Sequence, residues 1–238
     1  MVRMVPDRTG RFPERPHYRP EDLDKECERI ITQFLRELHG DAVFPVTTDD
    51  LTKLIERDAD DLDLYADLSH LGPDVEGVTE FLPGRKPTVR ISAELSNDPR
   101  RENRLRTTLT HEYGHVHFHA YLWAMRPTGP DLINPRASAE PSHCKRETML
   151  NAPQTDWMEW QAGYVCGALL MPRSGLARAV AEYQEQHGLF GPVSPGSLHG
   201  QALAAKVIDA FRVSEDAARV RLAKLNYLGA DHGPSLFG

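Results

Sequence analysis

His111-Glu112-Tyr113-Gly114-His115 is the stretch that decides how this chain is read. Its two histidines stand four residues apart, so on an α-helix they project from one face about one turn apart. Two imidazoles at that separation reach a single tetrahedral cation such as Zn²⁺, and the glutamate beside the first is placed to take a proton from water. The motif needs a helix around it. Arg101 to Leu109 contains good helix formers and neither Pro nor Gly, and Val116 and Phe118 continue the apolar pattern downstream.

Two histidines do not complete a site; a third protein ligand and one position open to water are expected. The pattern that adds a histidine six residues beyond the second is absent, because Tyr121 stands there. His119 lies a further turn along the same face, yet ligands at 111, 115 and 119 would span about 12 Å of helix, too far for one ion with bonds of about 2 Å. His117 points to another face. Both read as supporting or surface groups. Glu159 is the better candidate, since it begins the apolar, small-residue helix Glu159-Trp160-Gln161-Ala162-Gly163-Tyr164-Val165-Cys166-Gly167-Ala168-Leu169-Leu170-Met171-Pro172. Pro172 is a natural stop. A carboxylate on a buried helix needs a compensating charge, which a cation supplies. A local role competes with this one: Asp156 to Glu159 has capping-box spacing, and spacing alone leaves both open.

Taken together, Arg106-Thr-Thr-Leu-Thr-His-Glu-Tyr-Gly-His115, Glu159-x-x-Ala162 and Leu169-Leu-Met-Pro172 resemble the ImmA/IrrE family of bacterial zinc metallopeptidases. The resemblance runs in order over residues 40 to 228. It implies that His111, His115 and Glu159 are zinc ligands and that Glu112 is the general base. It also implies a protein substrate: one site-specific cut in a helix-turn-helix transcriptional repressor, relieving repression of stress-response or mobile-element genes. The chain departs from the family pattern at Thr107, where phenylalanine is usual, at Thr110, where alanine is usual, and at Gly163, where asparagine is usual. None of the three is a ligand position. The segment from Trp123 to Trp157 is long and rich in Pro and polar residues. It reads as a substrate-binding lid, an inert insertion or a region that orders only with a partner.

The formal net charge of −7 argues against a surface devoted to nucleic acid. Three cysteines, Cys27, Cys144 and Cys166, offer no paired framework; Cys166 reads as a buried small residue and His143-Cys144 as part of a plain loop. No apolar run approaches about 18 residues and the basic start lacks a signal-peptide centre, so a reducing cytoplasm is the expected location and no membrane contact is expected.

Along the chain, residues 1–20 are expected to be a flexible basic arm. A helix follows over Glu21 to Leu38, ended by Gly40, and another from Asp49 to Arg57 with Thr48 as its cap. Leu62 to Tyr65, Val78 to Leu82 and Val89 to Ile91 read as short strands. The expected fold is α+β: a zincin-like metallopeptidase core over residues 21–172, with a small antiparallel sheet packed on helices, then a helical, helix-turn-helix-like part over 173–238. In such cores an edge strand often holds an extended peptide. Leu176 to Tyr183 is amphipathic and stops at Gly188, Pro192 to Gly200 is a loop, and helices over Leu203 to Phe211 and from Ser214, a well-placed cap, to Leu228 complete the chain. Arg219 and Arg221 are positioned there to meet phosphate. That end sustains a second reading, a DNA- or protein-binding regulator with a structural or vestigial metal site, and duplex DNA as the less favoured partner.

Overall fold

A computed structural model of the chain describes residues 2–81, 84–124, 140–145 (backbone alone) and 156–229. Its first element is a correction. Instead of a flexible arm, β1 (Arg3–Pro6) and β2 (Glu14–His17) pair as an antiparallel hairpin, with Arg3 opposite His17 and Pro6 opposite Glu14. Aromatic contacts fasten it: Phe12, buried, meets Trp123 edge-on at 4.8 Å between centroids, and Trp157 Nε1 donates to Asp7 Oδ1 at 3.2 Å.

The amphipathic stretch that follows is α1 (Pro20–His39), with Leu23, Cys27, Ile30, Ile31, Phe34 and Leu35 buried along one face. Gly40 closes it at φ 82°, the left-handed conformation glycine adopts without strain, and its N–H bonds Arg36 O at 2.9 Å. α2 (Thr48–Asp58) is capped by Thr47, one residue earlier than expected, because Thr47 and Asp50 form a reciprocal capping box.

The expected strands are β3 (Asp61–Ala66), β4 (Val75–Phe81) and β5 (Thr88–Ser92). With β6 (Glu140–Lys145) they form a sheet in the order β3-β5-β4-β6. β4 is antiparallel to both neighbours, whereas β3 and β5 run parallel. β4 therefore has no open edge. His143 and Cys144 lie in β6 rather than in a loop; the rest of the segment between Trp123 and Trp157 lies outside the described residues, apart from Ala124 and Asp156.

After the short α3 (Ala93–Ser96) comes α4 (Glu102–Phe118), buried from Arg106 to Val116 between the sheet and α6 (Trp157–Leu170); the single turn α5 (Ala120–Ala124) lies between them. Gly114 permits the closeness of α4 and α6: a Cβ there would stand 3.1 Å from Ala162 Cα. That contact brings the start of α6 against the histidine face of α4.

α7 (Arg173–His187), α8 (Leu198–Phe211) and α9 (Glu215–Lys224) follow. Ser197 caps α8, so the loop is shorter than expected. Ser214 caps α9 through Ala217 N at 3.2 Å, and α9 stops at Lys224 rather than Leu228. A single cluster of buried apolar side chains joins α1 and α2 to the final helices, from Leu23 to Leu228. Arg106 adds a polar tie across it, donating to the carbonyls of Phe211 and Arg212 where α8 runs out of intrahelical donors. The phosphate-facing role expected of Arg221 is not available: it is buried and ion-paired with Asp24 at 2.7 Å. Arg219 is spent locally on Glu215 at 2.8 Å and on Pro195 O at 3.0 Å. Among the described residues, no helix is long and apolar enough to cross a membrane.

Candidate metal centre

α4 presents His111 and His115 on the face turned to the start of α6 and Glu112 beside them on the face turned to β4, and α6 presents Glu159 from its first turn. Of the two roles that spacing left open for Glu159, the cap falls to Asp156. The Asp156 side chain accepts from Glu159 N at 3.5 Å and caps α6, while the Glu159 carboxylate turns to the histidines. His111 Nε2 lies 3.1 Å from Glu159 Oε2, and His115 Nε2 lies 3.2 Å from Glu159 Oε1. The two Nε2 atoms are 3.3 Å apart.

One ligand atom from each of these three residues lies within 4.8 Å of the others, and all three side chains are buried. Ligand atoms at tetrahedral corners with bonds of about 2.0–2.1 Å sit roughly 3.3 Å from one another, so the donor set fits a single divalent cation. Electrostatics agree. Burial alone would raise the pKa of Glu159, yet the His115 and His111 rings outweigh it and hold the carboxyl well below the usual range. Burial would lower the pKa of His115, and the Glu159 carboxylate reverses that. The point between the rings and the carboxylate favours positive charge, which a cation supplies.

Glu112, next to His111, reaches the sheet. Thr79 Oγ1, on β4, donates to Glu112 Oε2 at 2.6 Å, whereas Glu112 Oε1 has no hydrogen-bond partner among the described residues. Burial raises the pKa of this carboxyl against the lowering effect of the two histidines. Gly77 makes room for it, since a Cβ at that position would stand 2.6 Å from Glu112 Oε1. Neither Gly77 nor Thr79 was singled out from sequence; a glycine inside a strand pattern is the signal that marks such a close approach. Phe81, from the same strand, stacks on Trp123 at 3.8 Å and lies 6.2 Å from the His115 ring.

The remaining candidates are placed elsewhere. His117 reaches Glu26 at 3.3 Å, on another face of α4. His119 stays out of the ligand set but contacts it, its Nδ1 being 3.0 Å from His115 Nδ1. Burial drives its pKa down to about 3. Tyr164 and His199 are engaged away from the site: the Tyr164 hydroxyl donates to Asp24 at 2.9 Å and His199 pairs with the Tyr183 hydroxyl at 3.0 Å.

A search of curated proteins finds no match. Residues 77–223 match the family model Peptidase_M78, the IrrE N-terminal-like domain. The matched span takes in β4 from Gly77 on, with Thr79, both helices that converge at the site, and the helix pair tied back by Arg106 and Arg221 as far as Ala223. It covers more than half of the chain, which therefore belongs to the ImmA/IrrE family of metallopeptidases.

Proposed function

We propose that the chain is a zinc-dependent endopeptidase in which His111, His115 and Glu159 hold the ion and Glu112 is the general base. The observation that carries this reading is the convergence of three buried ligand atoms beside a second carboxylate whose Oε1 is unpartnered among the described residues. A His₂Glu set suits zinc and leaves one tetrahedral position free. When bound, zinc supplies Lewis-acid polarisation of the scissile carbonyl and acidifies the attacking water.

The chain's own groups move the proton. Glu112 takes it as the water oxygen joins the carbonyl carbon, then releases it to the amine as the C–N bond breaks. A carboxyl whose pKa is raised by burial suits both halves of that cycle. Thr79 holds one oxygen still, which leaves the unpartnered Oε1 to take the proton.

The resemblance of Arg106 to His115 and Glu159 to Pro172 to the family motifs supports a narrow substrate, a helix-turn-helix transcriptional repressor cut at one site. Since β5 and β6 flank β4, the edges the sheet offers an extended substrate are β3 and β6.

Metal content tests the reading. Wild type supplied with zinc is expected to hold about one ion per chain, and both His115→Ala and Glu159→Ala are expected to lose it. Full retention in Glu159→Ala would remove that residue from the ligand set. No binding by the wild type would overturn the proposal.

A second expectation concerns the sheet. In Gly77→Ala the new methyl would meet Glu112 Oε1 at 2.6 Å and Thr108 Cγ2 at 2.8 Å. Displacing the carboxylate by about 1 Å lowers turnover about 10²-fold, and overpacking costs about 1–3 kcal/mol, while the ion stays bound. Denaturant titration, metal content and cleavage rate check the three parts, and wild-type cleavage would show that the close approach has no bearing on the base.

A further inference from the structure

His115 is held from behind by a chain of hydrogen bonds that ends on the N-terminal hairpin. Gln161 Nε2 donates to Pro16 O at 3.1 Å, His119 Nε2 meets Gln161 Oε1 at 3.0 Å, and His119 Nδ1 meets His115 Nδ1 at 3.0 Å. His115, His119 and Gln161 are all buried.

The direction of each bond follows from what each atom can do. Pro16 O only accepts, so the Gln161 NH₂ faces it and the Gln161 oxygen faces His119. That oxygen also only accepts, so His119 Nε2 carries the hydrogen. The neutral His119 ring then offers a lone pair at Nδ1, and the proton between the two Nδ1 atoms belongs to His115. His115 Nε2 is thereby left with its lone pair directed at His111 and Glu159.

The same hairpin also grips α6 on both sides of Glu159. Asp7 accepts from Trp157, the Arg15 guanidinium lies 5.4 Å over the Trp157 ring, and Pro16 takes the Gln161 amide. Trp157 and Gln161 stand two residues before and two residues after Glu159.

We propose that His119 and Gln161 are positioning residues that lock His115 into its Nδ1–H tautomer, and that through Pro16 the hairpin is a working part of the metal centre. This rests on the reading of His111, His115 and Glu159 as ligands. Groups that orient a ligating histidine in this way typically contribute 10- to 100-fold to metal affinity.

The test is zinc affinity measured by competition with a chromophoric chelator on the full chain, with His115→Ala as the reference for loss of a ligand. Gln161→Leu and His119→Phe are expected to bind zinc about 10- to 100-fold more weakly than wild type, and His119→Gln, whose amide can still accept from His115, to recover most of that. Wild-type affinity in the folded Gln161→Leu and His119→Phe chains, with His115→Ala still losing the ion, would overturn the relay and leave the ligand set standing. Failure of His115→Ala to lose zinc would instead overturn the ligand reading. Should the variants not fold, long-range ¹H–¹⁵N spectra of zinc-loaded wild type decide it. A hydrogen on His115 Nδ1 and on His119 Nε2 is expected, and the opposite tautomer at either ring would overturn the proposal.

Discussion

Glu112→Gln is expected to retain its zinc and to lose cleavage of a helix-turn-helix repressor by about 10²- to 10⁴-fold, the range that a positioned general base supplies. The substitution keeps the shape of the side chain and removes its basicity. The carbonyl of the new amide can still accept the Thr79 hydroxyl bond that Glu112 Oε2 now accepts at 2.6 Å, so the side chain has no reason to leave its place beside Gly77. Metal content should not change, because Glu112 is outside the three-residue set of His111, His115 and Glu159. Stability should not fall either. Burial already disfavours the charged carboxylate, as the direction of its pKa shows, and an uncharged amide relieves that penalty. Three readouts therefore separate the base from a structural group: zinc per chain unchanged, melting temperature unchanged or higher, and cleavage lost. Cleavage at the wild-type rate would remove Glu112 from the mechanism, and loss of zinc would make it a supporting group of the ion instead.

The site was legible where chemistry and periodicity coincide. His111 and His115 are fixed by helical spacing, and the helix around them follows from residues 101–118 alone. Glu159 was legible only as one of two roles, since Asp156 and Glu159 at capping-box spacing satisfy a cap and a ligand equally well. In the structure Asp156 takes the cap, and the Glu159 carboxylate turns to the two histidines. His119 could be excluded as a ligand by distance along the helix, but its bond to His115 could not be foreseen, because Gln161 and Pro16 approach it from other elements. The hairpin was hidden for a related reason. Arg3–Pro6 and Glu14–His17 show no alternation of apolar and polar residues, and their order comes from contacts of Phe12, Asp7 and Arg15 with aromatic residues more than a hundred positions away. The parallel pairing of β3 with β5 has no local signal, since a strand's own sequence does not state its partner's direction.

Arg221 shows the limit most sharply, and Asp24→Ala is expected to have the largest effect on stability, about 3–5 kcal/mol. From sequence, Arg221 is a basic residue on a helix in a helix-turn-helix spacing, and solvent or phosphate is the natural destination. In the structure it is 2% exposed. Its guanidinium lies 2.7 Å from Asp24 Oδ1 and 5.5 Å over the Tyr164 ring, and its Nε donates to Met171 O at 3.2 Å, where α6 ends. Tyr164 completes the group by donating to Asp24 Oδ2 at 2.9 Å. One arginine thus ties α9 to α1 and to the end of the helix that carries Glu159. Removing Asp24 leaves that cation buried with no counter-charge and leaves the Tyr164 hydroxyl without its acceptor, which is why the cost exceeds that of a surface pair. A loss of this size is a large part of a domain's net stability of about 5–15 kcal/mol and should lower the melting temperature by roughly 6–20 °C. Arg221→Met should be costly for the mirror-image reason, a buried carboxylate without its partner. The double variant Asp24→Leu/Arg221→Met is expected to recover most of the loss, because an apolar pair of similar volume carries no desolvation penalty. Chemical denaturation of the wild type, the single variants Asp24→Leu and Arg221→Met, and the double variant measures the coupling. Near-additive costs in the single and double variants would mean that Asp24 and Arg221 act separately, and the tie between α1 and α9 would then rest on the apolar contacts of Leu23, Cys27, Ala218 and Leu222 in the shared core.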